Sequence, residues 1–460
     1  LSDTAALVLS GGTLNLNAGL HTEGVASTSL TAGTSSFVTR TAGAAVLQMG
    51  VITNNTGATI DFGAPNIATT DNLNNAIGIL GTWATVNNGA DFAVNSTNTV
   101  GGLITAPAYT DVTRLNDGTQ VIADSAASFV RIIEGTGSAA NITLGAATTS
   151  SAGLNQSTVG GASAAVIDPA GQTLATNSIL VGTGAGSLTI GTGTNNGSLS
   201  ALTAGGDLVV NPSSATSLAV NSSIIDNTSS TLTMSGTGTL ALNGNNTYSG
   251  GTNLIAGTLQ LGSSTALGSG TLTITGGSLN SGVTNLVNTN VNAQAWNGNF
   301  TFVGSQNLNL GTGAVTTNGA RTVTVSAGTL TVGGSFTPSG TAGSHLTKLG
   351  AGTLVLNGAT ALGNNGIIVN GGITRFGGTM TTNAAVAGAA GNTFRVGNLA
   401  NASAAFVQTG GSITLSVNDV DGMNLGNAAS ASGAFGSLTI AGGTFTAPRI
   451  NVGGSGTASG

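Results

Sequence analysis

The sequence is poor in charged residues, and it contains no cysteine. Only 5% of its 460 residues are charged, whereas ordinary soluble domains carry about 25%. Eight lysines and arginines stand against 14 acidic residues. Nucleic-acid binding depends on clustered basic side chains, so we expect no nucleic-acid partner. The absence of cysteine excludes disulfide frameworks and thiolate metal sites.

Proline and long apolar runs are also scarce. The chain has 6 prolines and 76 glycines, and the glycines cluster in pairs, which excludes the strict third-residue spacing of collagen. A hydrophobic content of 40% with a net charge of −6 differs from the composition of disordered chains. No stretch approaches the roughly 20 continuous apolar residues of a membrane span. We therefore expect no membrane insertion by these residues.

What the chain does contain is a recurring strand that begins with Gly-Thr-Leu or Gly-Ser-Leu. Apolar and polar residues alternate in TLNLN at 13–17, TLALN at 239–243 and TLTIT at 271–275, which is the period of a β-strand with one buried face. Glycine- and asparagine-rich corners separate the strands. A unit of one strand and one corner cannot bury its own apolar face, so copies must stack.

The fold predicted from this pattern is all-β: a right-handed parallel β-helix (β-solenoid) with irregular rungs of roughly 20 residues. The spacing is irregular because Gly238 and Gly257 lie 19 residues apart and Gly257 and Gly270 lie 13 apart. A stack of antiparallel hairpins is the weaker alternative, since most gaps are longer than two-residue turns.

Composition divides the chain into four predicted stretches. These are solenoid rungs at 1–60, an irregular charge-enriched segment at 61–134, further solenoid at 135–378 and a second repeat type at 379–460.

The segment 61–134 departs most from the pattern. It holds nine of the 22 charged residues: Asp61, Asp71, Asp91, Asp111, Arg114, Asp117, Asp124, Arg131 and Glu134. It also holds Trp83 and Tyr109, whose rings are candidate contacts for a sugar ligand. One interpretation is an irregular stretch of the same solenoid, and the other is an exposed binding loop or insertion. The composition leaves both open.

Candidates for chemistry are few. Polysaccharide hydrolysis requires converging carboxylates, and the only close acidic pair is Asp419 and Asp421. With neighbouring asparagines this pair is a remote candidate for a cation site, although a polar corner between rungs is favoured. We predict no catalytic residues, no cofactor and no enzyme activity. A polysaccharide-degrading β-helix enzyme remains the remote alternative.

The string GTLALNGNNTYSGGTNLIAGTLQLGSSTALGSG, within residues 236–280, resembles the autotransporter-associated β-strand repeat, also called the passenger-associated transport repeat. Residues 346–378 contain a similar segment in which the NTYSGGT turn has changed, LTKLGAGTLVLNGATALGNNGIIVNGG at 346–372. The resemblance implies a β-helical passenger, extracellular or on the cell surface of a diderm bacterium. It carries over no catalytic residues.

The predicted function is a secreted structural β-solenoid, a segment or subunit of a large bacterial surface or filament protein. Its expected partners are further rungs of a longer chain or other copies of itself, associating end to end or laterally. The alternative is an adhesin that binds polysaccharide or a host surface through residues 61–134.

Overall fold

The computed structural model describes residues 3–17, 19–55, 57–81, 83–137, 140–213, 216–339, 344–363, 365–382, 394–399, 401–415, 423–426 and 434–453. These residues form strands, turns and bends, with no helix among them. The parallel pairing of nearly all strands confirms the predicted β-solenoid. No described helix is long and apolar enough to cross a membrane. The chain divides into two units, Leu1–Leu259 and Gln260–Gly460.

The first unit begins with a stack of coils that we call stack 1, residues 6–105. Its strands lie in three rows, here in hydrogen-bonded order: Ala6–Leu9, Ser27–Leu30, Val51–Asn54; then Gly12–Leu16, Ser35–Arg40, Thr59–Phe62, Ala84–Val86, Asp91–Phe92; then Thr22–Gly24, Val46–Gln48, Ala68–Thr70, Gly102–Thr105, Val94–Asn95.

Stack 1 ends where the chain reverses. Asp91–Phe92 pairs antiparallel with Ala84–Val86, and Gly102–Thr105 pairs antiparallel with both Val94–Asn95 and Ala68–Thr70. Every other described pairing is parallel, so residues 91–105 interrupt the regular winding.

Stack 2 of the first unit begins at Tyr109 and returns to parallel winding. Its two rows are Tyr109–Arg114, Ser125–Glu134, Thr148–Gln156, Thr173–Thr176, Ser178–Val181, Ser198–Ser200, Asp207–Pro212, Ser223–Ile224, Thr231–Met234, Gly251–Leu254; and Val121–Ile122, Ile142–Leu144, Ala165–Asp168, Leu188–Ile190, Ser217–Val220, Thr239–Leu242. The strand Thr258–Leu261 lies at the boundary of the two units.

The second unit has three rows of strands, all with parallel pairings. They are Leu272–Ile274, Gln294–Trp296, Val315–Asn318, Phe336–Ser339, Thr360–Gly363, Thr379–Thr382, Ser412–Thr414, Thr444–Thr446; then Ser278–Ser281, Phe300–Phe302, Arg321–Val325, Leu346–Leu349, Ile367–Val369, Phe394–Val396, Met423–Leu425, Ile450–Val452; then Leu286–Val287, Leu308–Asn309, Thr329–Val332, Thr353–Leu356, Gly372–Phe376, Ser403–Gln408, Phe435–Ile440.

Coil length varies along the chain. Hydrogen-bonded partner residues are 20 positions apart at Tyr109 and Phe129 and 32 apart at Gly372 and Ala404. The corners absorb most of the difference, because corners face solvent and tolerate insertions. The strand register itself shifts at two pairings, between Ser125 and Phe129 and between Ala361 and Gly363.

The core of each coil is filled by the alternating apolar residues that the sequence pattern indicated. In TLALN, Leu240 and Leu242 are both fully buried. In the second unit the rings of Phe300 and Phe336 lie with their centroids 5.1 and 5.7 Å from that of the buried Trp296. Such ladders of stacked side chains supply the apolar burial that a single coil lacks.

Candidate functional site

The charged segment 61–134 lies at the junction of the two stacks of the first unit. It contains the last coil of stack 1, the reversal at 91–105 and the first coil of stack 2. Ile104 and Ile132 of this segment are fully buried. The segment is therefore built into the core of the unit at these positions.

Stack 1 packs beside stack 2. The side-chain amide of Asn155 donates hydrogen bonds to the Ala90 carbonyl at 3.0 Å and to Asp91 Oδ1 at 2.9 Å, and the backbone N–H of Thr183 donates to the Gly89 carbonyl at 3.1 Å. The rings of Phe92 and Phe129 meet at 6.0 Å. Polar and aromatic contacts thus join coils that are distant in the sequence.

A groove of about 280 Å³ runs between the two stacks. From stack 1 it is lined by Phe37, Asp61 and Trp83, together with serine, threonine and asparagine residues. From stack 2 it is lined by Thr183, Asn211, Ser213 and residues 235–237. We call this the inter-stack groove. Its lining offers hydroxyls, amides and two aromatic surfaces, and Asp61 is its one charged residue.

Trp83 is the predicted ligand contact that reaches this groove. Its side chain is partly buried and packs against the core of stack 1, while its carbonyl accepts a 2.8 Å hydrogen bond from the backbone N–H of Ile60. The strand pairing therefore holds the indole at the groove wall.

Tyr109, the other predicted contact, does not line the groove. Its hydroxyl accepts a 3.2 Å hydrogen bond from the Asn155 amide, and the Arg131 guanidinium lies 5.0 Å from the ring centroid. Arg131 in turn donates to Asp111 at 2.8 and 3.0 Å. Burial raises the pKa of Tyr109 above its ordinary value. These contacts make Tyr109 a brace of the junction, and the structure does not bring it together with Trp83 in one site.

Asp61 forms part of the groove wall and is 6% exposed. Its Oδ2 atom accepts hydrogen bonds from the Thr85 hydroxyl at 2.8 Å and from the Gly89 backbone N–H at 2.6 Å. Its Oδ1 atom is buried without a hydrogen-bond partner among the described residues. Burial raises the pKa of this carboxyl group, more than these hydrogen bonds lower it.

Arg114 and Glu134 of the segment form an ion pair. Arg114 is 2% exposed, lies 3.7 Å from the Glu134 carboxylate and donates to the Ser163 carbonyl at 3.0 Å. Burial lowers the pKa of Arg114, and Glu134 acts in the opposite direction. A buried guanidinium is tolerated because carbonyl and carboxylate oxygens surround it.

Asp419 and Asp421 lie outside the described residues. Within the described residues, no group of three or more histidine, aspartate or glutamate side chains is placed to hold a metal ion. Sequence reasoning did not find the groove residues Phe37, Asn211 and Thr237, since no signal in the sequence links positions so far apart.

The turn NTYSGGT at 246–252 is fixed to the coil that precedes it. The Asn246 side chain accepts a 2.8 Å hydrogen bond from the Ile224 N–H, the buried Tyr248 hydroxyl lies 2.6 Å from the Thr252 hydroxyl, and the Ser249 hydroxyl donates to Asp226 at 2.6 Å. The side chains of Asn246, Tyr248, Ser249 and Thr252 thus have defined partners, which accounts for the specificity of this string.

The corresponding stretch at 346–374 contains the only lysine of the sequence, Lys348, in the interior of its coil. Its ammonium group donates to the carbonyl oxygens of Gly350, Gly352 and Gly371 at 2.7, 2.5 and 2.6 Å. Burial lowers the pKa of Lys348 to about 8. Three acceptors match the three N–H donors of an ammonium group.

Comparison with known proteins identifies these two stretches. The family model of the passenger-associated transport repeat matches residues 232–261 and 346–374, which confirms the resemblance seen in the sequence. The chain is also 34% identical over 273 residues to the adhesin BmaC autotransporter of Brucella suis biovar 1 (strain 1330). This match covers 56% of the chain and 7% of that relative's length. No solved structure matches the chain.

Proposed function

We propose that this chain, which carries two passenger-associated transport repeats, is a non-enzymatic, passenger-like segment of a large protein on the surface of a diderm bacterium. The observation that carries the proposal is the coincidence of those repeats with coils of a parallel β-solenoid. A stack of this kind extends and presents surface by adding coils, which suits a mechanical role.

Association with further coils, or with other copies of the chain, is part of this proposal. The strands Phe435–Ile440 and Ile450–Val452 carry exposed large apolar side chains, including Phe435 at 62% and Val452 at 74% exposure. Exposed apolar surface of this kind is typical of association sites. Sedimentation velocity over a range of concentrations tests the proposed self-association. A monomer at every concentration would contradict it.

Surface location is tested in the bacterium that encodes the chain. Intact cells are treated with proteinase K and then probed with antibodies against residues 1–460. We expect loss of the signal without lysis, while a periplasmic marker survives. Survival of the signal in intact cells, with loss only after lysis, would contradict the proposal.

An adhesin is the second candidate, because the similar Brucella protein is named an adhesin and because Trp83 lies in an open groove. Deletion of residues 61–134 would not test it cleanly, since that segment supplies buried core residues such as Ile104 and Ile132. Point substitutions in the groove separate loss of adhesion from loss of folding.

A further inference from the structure

The inter-stack groove has the chemistry of a site for a neutral, hydroxyl-rich ligand. Aromatic surface from Trp83 and Phe37 alternates with serine and threonine hydroxyls and the amides of Asn88 and Asn211. Binding sites for small polar ligands combine apolar or aromatic walls with a few oriented polar groups. Phe37 is 43% exposed, so part of this apolar surface remains open to solvent.

The charge of the lining argues against an anionic ligand. None of the groove residues is lysine or arginine, and its one charged group is Asp61. Phosphate, sulfate or uronate groups would meet a carboxyl group with no compensating cation, and anion recognition ordinarily relies on arginine or lysine.

Asp61 also provides a reason for a hydroxyl-bearing ligand. Its Oδ1 atom has no hydrogen-bond partner among the described residues, although the side chain is 94% buried, being 6% exposed. A buried polar atom without a partner costs free energy. This atom is shielded from solvent in the structure, so a ligand hydroxyl would become its partner only after a small shift of the groove wall.

We infer that the inter-stack groove binds an uncharged glycan, with the Trp83 indole as the surface against which a sugar ring packs and Asp61 as the hydrogen-bonding group for its hydroxyls. The apolar face of a pyranose ring suits an aromatic wall, and its hydroxyls suit the surrounding polar side chains. This inference rests on the adhesin candidate and assigns it a ligand class and a site.

The two tryptophans allow a direct test. Trp83 lines the groove, whereas Trp296 is fully buried in the second unit. In a Trp296→Phe background the intrinsic fluorescence reports Trp83 alone. Cellohexaose and mannohexaose serve as neutral probes and hexagalacturonate as the anionic comparator, with calorimetry as a second readout. We expect a saturable fluorescence change and heat with at least one neutral probe, and neither with hexagalacturonate.

Variants then locate the site. Trp83→Ala and Asp61→Asn should each weaken binding at least tenfold, whereas Asp168→Asn, an exchange at a coil corner outside the groove, should leave it unchanged. Because Trp83→Ala also removes packing, Thr237→Arg is the second test: Thr237 is exposed at the groove, so a long side chain there should block binding without unfolding. Thr337→Arg, at an exposed position of the second unit, is its matched control.

Three results would overturn the inference. The first is that neither neutral probe binds with a Kd of 10 mM or lower, which corresponds to a binding free energy of about −2.7 kcal/mol. The second is binding of hexagalacturonate only. The third is binding that Thr237→Arg and Asp61→Asn leave unchanged. None of these results alters the proteinase K experiment, so failure of the glycan site and failure of the surface proposal remain distinguishable.

Discussion

The two transport repeats at 232–261 and 346–374 begin with the same pattern, LTMSGTGTLALNG and LTKLGAGTLVLNG, yet they fill the same interior corner with different chemistry. Met234 and Lys348 both follow Leu-Thr at the start of their repeats, and both are fully buried. Lys348 donates to three backbone carbonyls. In the first repeat a Cβ atom added at Gly257 would lie 2.7 Å from Met234 Cε and 2.3 Å from the Gly236 carbonyl oxygen.

This difference shows what the repeat specifies. The glycine-rich corner fixes a backbone path whose carbonyls converge on a small interior space, and a linear side chain fills that space. A thioether fills it by packing, and an ammonium group fills it by hydrogen bonding. The repeat therefore encodes backbone geometry more strictly than side-chain polarity.

The largest expected effect separates two contributions of Lys348, namely filling the interior corner and donating hydrogen bonds to its three carbonyls. Lys348→Ala leaves a cavity and three carbonyls without their donor, so we expect the free energy of unfolding of this region to fall by about 3–5 kcal/mol. Lys348→Met, which copies the first repeat, should cost about 1–2 kcal/mol. Hydrogen exchange of residues 346–374 measures both. Equal losses for the two variants would show that filling the corner is unimportant.

The second prediction compares a crowded corner glycine of the first repeat with a less crowded corner glycine of the second. Gly257 has φ +70°, and an added Cβ atom would lie 2.3 and 2.5 Å from the carbonyl oxygens of Gly236 and Gly238. The equivalent glycine of the second repeat is Gly372, because Ile373 donates to the Gly352 carbonyl as Thr258 donates to that of Gly238. At Gly371, the residue before it, the nearest backbone oxygen is 3.1 Å from an added Cβ atom. We expect Gly257→Ala to cost about 2–3 kcal/mol and Gly371→Ala less than about 1 kcal/mol. Urea unfolding followed by hydrogen exchange checks this order, and a reversed order would contradict it.

The third prediction uses pH to test the buried ammonium group. The pKa of Lys348 is lowered by burial to about 8, whereas the unfolded chain has the ordinary value near 10.4. Between these values the unfolded state binds more protons, so stability rises with pH. Relative to Lys348→Met, the wild-type repeat should gain about 2 kcal/mol between pH 8 and pH 10. A constant difference over this range would contradict the lowered pKa, and the tyrosines cancel because both proteins contain them.

The smallest effect concerns the turn that the first repeat alone retains. Hydrogen bonds, foremost that from the Ser249 hydroxyl, lower the pKa of Asp226 to about 2. The contribution of Asp226 is therefore present above about pH 4 and is lost as the pH falls towards 2. Asp226→Asn should cost about 0.5–1 kcal/mol at pH 7, because the side chain is exposed, and this cost should shrink as the pH falls through about 2.

The second repeat provides the control for this pH effect. Asp226 lies six residues before the first repeat, and the residue at the same position before the second repeat is Gly340. Amide exchange at 246–252 should therefore show the acid-dependent loss, while exchange at 360–366 should not. An equal loss in both turns would assign the effect to something other than Asp226.

Much of the fold could be predicted because stacking leaves a local signal. The alternation in TLALN and TLQLG is a property of adjacent residues, and the buried leucines confirm it. The reversal at 91–105 could not be predicted, since antiparallel strands as short as Asp91–Phe92 are too short to carry a period. The burial of Lys348 could not be predicted either, because an isolated lysine usually indicates a solvated position.

The candidate site was predicted less well than the fold. The aromatic composition of 61–134 led to Trp83, which does line the groove, and to Tyr109, which does not. Their role as ligand contacts stays a prediction. The remaining groove residues come from coils on both sides of the reversal, so their proximity depends on tertiary packing that no local pattern records.

The side-by-side packing of the two stacks has a consequence for the order of folding. Residues paired in parallel on neighbouring coils lie only 19–33 positions apart, whereas Phe37 and Thr237 line one groove from positions 200 apart in the chain. Closing so long a loop is slow compared with adding a coil, so we expect the groove to form last, as pulse-labelled hydrogen exchange would show. Only chains whose first unit has folded completely would then bind ligand in the groove, and partly folded intermediates would be unable to adhere.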